Sequence, residues 1–106
     1  MFKIICIDHI VLRTTKLKEM ISFYCDTLNC IIDLLDVKKK VNQENSSLAH
    51  FCLRISPFNY KDLQKYFSTN NIAIYRHGTR FGATGYGESF YLQDPEGNTI
   101  ELKEDN

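Results

Sequence analysis

The chain has 106 residues, in which 13 Lys and Arg are balanced by 13 Asp and Glu. A formal charge of zero argues against a nucleic-acid binder, which needs a basic excess gathered on one face. Hydrophobic residues make up 43% of the chain, enough for one packed core and too many for a disordered segment.

No stretch approaches the roughly 20 apolar residues that span a bilayer, so no membrane partner is expected. Lys3, Asp8 and His9 interrupt the apolar start and no small-residue cleavage site follows, which argues against a secretory leader. Cys6, Cys25, Cys30 and Cys52 contain no C-x-x-C pair and no zinc-finger spacing. Free thiols in a reducing, cytoplasmic setting are the expectation.

In chain order, Phe2 to Arg13 is rich in β-branched residues and reads as a buried strand, with His9, Val11 and Arg13 on one face. Leu17, Met20, Ile21, Tyr24 and Leu28 then form one stripe of an amphipathic helix, which Thr14 or Thr15 would cap. Ile31 to Val37 reads as a short strand, and Lys38 to Ser47 as an exposed linker. The pattern then restarts. Leu48 to Ile55 is a strand, Asn59 to Asn70 a helix with Leu63, Tyr66 and Phe67 inward, and Ile72 to His77 a strand. A loop spaced by Gly78, Gly82, Gly85 and Gly87 is expected next. Glu88 to Gln93 and Asn98 to Lys103 then flank Asp94-Pro95-Glu96-Gly97 as a β-hairpin.

An internal repeat underlies this order. Asp8-His9-Ile10-Val11-Leu12-Arg13 aligns with Ala49-His50-Phe51-Cys52-Leu53-Arg54, and Ile32-Asp33-Leu34 aligns with Ile100-Glu101-Leu102. His50 to Glu101 spans 51 residues and His9 to Asp33 only 24, so the first copy lacks 27 residues, about two strands with their turns. The division expected is a first half-module over 1–37, a linker over 38–47 and a second module over 48–106.

Two imidazoles and a carboxylate, His9, His50 and Glu101, make the two-His-one-carboxylate set that leaves metal positions open to substrate. Fe, Mn, Zn or Ni would suit it. Taken singly, each histidine reads more often as a satisfied core residue; their matching places in the repeat argue for a site. Asp33, the counterpart of Glu101, is a candidate fourth ligand or general base, with an exposed strand-end carboxylate as the alternative. Cys52 is either a soft ligand or a small core thiol. Arg13 and Arg54 lie four residues beyond the histidines and would suit an anionic substrate or the surface. His77, Arg80 and Tyr91 flank the glycine-spaced loop, which reads as a lid. Its G-x-x-G-x-G spacing opens no helix, which excludes a nucleotide loop.

These words resemble the vicinal oxygen chelate superfamily, which holds glyoxalase I, fosfomycin-resistance and bleomycin-resistance proteins and extradiol dioxygenases. The matching segments are Asp8 to Leu12, Phe23-Tyr24-Cys25-Asp26-Thr27-Leu28, His50-Phe51-Cys52-Leu53, and the run from Tyr91 to Leu102. The resemblance implies an α+β fold of paired βαβββ modules forming a cup, the first module here short of about two strands. It implies a divalent metal held by His9, His50 and Glu101; Asp33, which the repeat proposes, and Tyr91, beside the glycine-spaced loop, are the candidate catalytic residues. It implies a small-molecule substrate chelated through two neighbouring oxygens, in a lyase of the lactoylglutathione type or an extradiol-type dioxygenase. A homodimer with modules exchanged between chains is the expected assembly. The alternatives are a metal-free small-molecule binder and a truncated, inactive member.

Overall fold

The computed structural model describes residues 1–40, 42 and 46–106. Part of the linker expected over 38–47, at Val41, Gln43, Glu44 and Asn45, lies outside the described residues. The chain divides into two compact units, Met1–Val41 and Asn42–Asn106.

The first unit is a β-α-β. Strand β1 (Val11–Thr14) leads into helix α1 (Leu17–Ile21), a π-helical turn continues it over Ser22–Thr27, and β2 (Asp33–Asp36) follows. The two strands pair in parallel, with Val11 opposite Asp33. The long buried strand expected from Phe2 is not formed. Regular pairing begins at Val11, because β2 has four residues and its ladder ends there. Phe2, Ile4, Ile5 and Ile7 are left 79–82% exposed.

The helix stripe also differs in detail. Met20, Phe23 and Tyr24 are buried, whereas Ile21 is exposed. The wider π turn, in which Leu28 N–H donates to the Phe23 carbonyl five residues back at 3.0 Å, rotates the inward face onto Phe23. Its ring meets Tyr24 edge to face at 4.9 Å. Thr14 holds the helix entry by accepting the Lys16 N–H at 2.8 Å, although Lys16 itself occupies the cap position.

The second unit is a β-α-β-β-β. It runs β3 (Phe51–Ile55), α2 (Tyr60–Thr69), β4 (Ile74–Gly82), β5 (Gly85–Gln93) and β6 (Thr99–Glu104), with strand order β3-β6-β5-β4. The first and last strands pair in parallel and the others antiparallel. Asn59 caps α2, its Oδ1 accepting the Asp62 N–H at 3.1 Å. One sheet face carries the core: Phe90, Leu92, Ile100 and Leu102 are buried with Phe67 of α2. Each such side chain contributes about 1.5–3 kcal/mol by leaving water. Tyr66, expected inward, is exposed.

The glycine-spaced segment is not a lid. It is a hairpin of two nine-residue strands, β4 and β5, whose turn closes between the paired Gly82 and Gly85. Gly85, with φ 97°, supplies the left-handed backbone that returns the chain into β5. Repeated glycine and polar residues obscured the alternation in sequence, while the ladder to β6 stabilises the strand. The Asp94–Gly97 turn is formed as expected. The Asp94 carboxylate accepts the N–H groups of Glu96 and Asn98, each at 2.9 Å, and this turn aims β6 back along β5.

Candidate functional site

The repeat seen in the sequence is a repeat of strand register. In the second unit Cys52, two residues after His50, lies opposite Glu101 on the parallel neighbour. In the first unit Val11, two residues after His9, lies opposite Asp33. Each histidine therefore stands just before a strand whose neighbour carries the carboxylate, and the side chains meet. His50 Nε2 is 3.3 Å from Glu101 Oε1, and His9 Nε2 is 3.7 Å from Asp33 Oδ2.

The two pairs differ in environment. Glu101 is buried, 6% exposed, with His50 as its only ion-pair partner among the described residues. Asp33 and His9 are open to solvent, and His9 Nδ1 also meets Asp8 Oδ2 at 2.7 Å. Each unit thus pairs its histidine with the carboxylate of the neighbouring strand, and the first adds Asp8. Among the described residues, no group of three or more His, Cys, Asp or Glu is gathered to hold a metal.

The sheet face opposite the core organises the rest of the second unit's site. Side chains in register alternate faces, so Cys52, Glu101, Tyr91 and Tyr75 form one row across four strands. Tyr91 meets the His50 ring edge to face at 5.3 Å, and Arg80 lies over the Tyr91 ring at 4.8 Å. Burial, then the neighbouring Glu101 charge, push the Cys52 thiol up from the ordinary 9.0 to about 11. Burial first and Glu101 second also raise the Tyr91 phenol, with Arg80 opposing. The Cys52 thiol donates to the Leu53 carbonyl at 3.9 Å. At neutral pH thiol and phenol are both protonated donors.

Beside His50 lies an open recess of about 290 Å³, lined by Leu48, Ala49, Gln93, Asn98 and Thr99. Of the other residues singled out in sequence, Arg54 pairs loosely with Asp105 at 3.7 Å and Arg13 is exposed. His77 is turned away from this face. A bulge between Tyr75 and Gly78, with Arg76 at φ 52°, sends it to the helix side, where it stacks on Tyr60 at 3.5 Å and meets Glu88 at 2.8 Å. Lys103 and Ser89, buried one row beyond Glu101 and Tyr91, were not singled out. The signal for Lys103 was its i+2 spacing from Glu101, which puts both on one strand face.

Carboxylate and imidazole are donor types that divalent metals take. Glu101 is a buried carboxylate facing an imidazole nitrogen with no Lys or Arg within 4.0 Å among the described residues, and His9 and Asp33 repeat the pairing.

No family model and no curated protein matches this sequence. Solved structures do match over nearly the whole chain. A virulence protein of Salmonella typhimurium is 25% identical, with a TM-score of 0.78 over 99% of this chain and 100% of its own. The fosfomycin resistance protein FosX of Listeria monocytogenes is 14% identical, with a TM-score of 0.72 over 98% of this chain and 96% of its own. A glyoxalase/bleomycin resistance protein/dioxygenase of Alicyclobacillus acidocaldarius is 23% identical, with a TM-score of 0.64 over 93% and 90%.

Proposed function

We propose, from the vicinal oxygen chelate fold that this chain has, that it is a small metal-dependent enzyme of the glyoxalase or dioxygenase type. The observation that carries the reading is the buried Glu101 carboxylate 3.3 Å from His50, a pairing repeated at the same register by Asp33 and His9. His9, His50 and Glu101 would hold Fe, Mn, Zn or Ni. Such a metal supplies a Lewis acid for two neighbouring oxygens of a small-molecule substrate. Asp33, solvent-open and beside His9, is the group suited to accept and return a substrate proton. Tyr91, held protonated, donates a hydrogen bond and walls the site beside His50.

A homodimer goes with this reading. The exposed run Phe2, Ile4, Ile5 and Ile7 offers apolar surface to a second copy. In that assembly, His9 from one chain would join His50 and Glu101 of the other. All four cysteines are free, which agrees with a reducing, cytoplasmic setting.

The test is metal content and affinity of untagged protein, with His9→Ala, His50→Ala and Glu101→Ala. Stoichiometric metal in the parent, lost in all three variants, supports the reading. Absence of binding at micromolar metal overturns it and favours a metal-free binder, for which the His50–Glu101 pair is already mutually satisfied.

A further inference from the structure

One row beyond Glu101 and Tyr91, the same sheet face turns cationic. Arg54, Lys103, Ser89 and Gly78 lie in register across the four strands, and Arg80 follows two residues after Gly78. Two residues of strand separate this row from the Glu101 row, about 6.6–6.8 Å. Arg54 has Asp105 as a counter-ion at 3.7 Å. Among the described residues, Lys103 and Arg80 have no carboxylate within 4.0 Å.

Lys103 is only 3% exposed. A buried ammonium needs compensation, and its acceptor among the described residues is a neutral amide, Asn106 Oδ1 at 3.3 Å. The groove that holds it is built from missing side chains. A Cβ on Gly82 would meet Lys103 Cε at 3.3 Å and Cδ at 3.4 Å, and one on Gly87 would meet Glu104 Cγ and Oε1 at 3.0 Å and Asn106 Nδ2 at 3.1 Å; the Glu104 carboxylate at this edge is engaged by the Glu88 N–H at 2.8 Å. Asn106 closes the groove as a strap: its Oδ1 also accepts from Thr84 Oγ1 at 3.3 Å, and its Nδ2 donates to the Tyr86 carbonyl. Ser89, fully buried, stands opposite Lys103 on the adjacent strand, and its Oγ faces Arg80 Nη1 at 3.1 Å.

We propose that Lys103, Arg80 and Ser89 form an oxyanion subsite, which Asn106 covers until the anionic end of a substrate takes its place on Lys103 Nζ. The substrate then carries a phosphate or carboxylate about one strand-row step from the oxygens held near Glu101. This deepens the enzyme reading and rests on it for the word substrate; the anion site itself stands on the second unit alone.

The experiment titrates metal-free protein with inorganic phosphate and, separately, acetate, following backbone amide shifts by NMR. The parent is compared with Lys103→Met, Arg80→Gln and Asn106→Asp. Saturable shifts centred on Ser89 and Lys103 are expected, weakened about 10- to 100-fold in Lys103→Met, the range for losing a charge-assisted hydrogen bond. Asn106→Asp places an internal carboxylate on Lys103 and weakens binding in the same direction. It lies at an exposed position and decides the matter if Lys103→Met does not fold. The tighter probe names the oxyanion as phosphate or carboxylate. Absence of saturation with both probes, or equal affinity in the parent and the Lys103 and Asn106 variants, overturns the proposal. Because no metal is present, failure of the metal reading leaves this result intact.

Discussion

Glu101 lies in strand register with Cys52, two residues beyond His50, and its buried carboxylate faces the His50 imidazole at 3.3 Å. Asp33 stands in the same relation to His9, but at the surface and at 3.7 Å. Common register with unequal burial gives the two carboxylates different surroundings. Glu101 is enclosed by its surroundings, whereas Asp33 is open to solvent.

That contrast predicts unequal mutant effects on metal binding. Glu101→Gln is expected to weaken metal affinity by more than about 100-fold, beyond the loss typical of an outer-shell residue. Asp33→Asn is expected to stay within about tenfold of the parent. Competition with a chromophoric chelator measures both. Equal losses would place Asp33 among the essential ligands.

The Cys52 thiol, raised to about 11, is expected to react with iodoacetamide at pH 8 far more slowly than Cys6. Burial and the Glu101 carboxylate cause the shift, so Glu101→Gln is expected to speed labelling of Cys52 and leave Cys6 unchanged. The sign for stability follows. The folded state holds its proton to higher pH than the unfolded chain, so this contribution is complete below pH 9.0 and is lost as pH rises through about 11. Peptide mapping after timed alkylation reads the rates.

Two substitutions separate the supports of the second unit. Phe90 is fully buried and its ring lies 5.8–5.9 Å from those of Phe58, Tyr60 and Phe67. Phe90→Ala is expected to cost about 3–5 kcal/mol in urea unfolding. Asp94→Ala strips the acceptor from two backbone N–H groups and from Asn98 Nδ2, 2.7 Å away. It is expected to cost about 3 kcal/mol. It is also expected to weaken metal affinity, because the turn sets the course of β6 and hence of Glu101.

Ile5→Asp in the exposed apolar run is expected to convert a dimer to monomer in sedimentation and to lower metal affinity with it. A monomeric parent, or a monomeric variant with full metal affinity, would show that one chain completes the site.

The repeat was legible because its signature is chemical and local. A histidine two residues ahead of an apolar strand position, and a carboxylate between aliphatic neighbours, are visible in any chain that carries them twice. Helix α2 and the Asp94 turn were legible for the same reason, since Asn59 and Asp94 satisfy backbone N–H groups within a few residues. Phe2 to Ile7 was misjudged, because apolar composition reports a preference for burial and β2 is too short to provide the partner.

By itself, then, the amino-acid order determined the recurrence of strand and helix and the matching places of His9 with Asp33 and His50 with Glu101 in it, which rest on spacing and side-chain chemistry. Tertiary structure alone decided which carboxylate is buried, that the glycine segment is paired strand, and that Lys103, beneath Asn106, has no carboxylate partner among the described residues. Those outcomes depend on which strands become neighbours. Neighbouring strands such as β4 and β6 are brought to β5 across turns and long sequence separations, and no local pattern encodes what a side chain meets there.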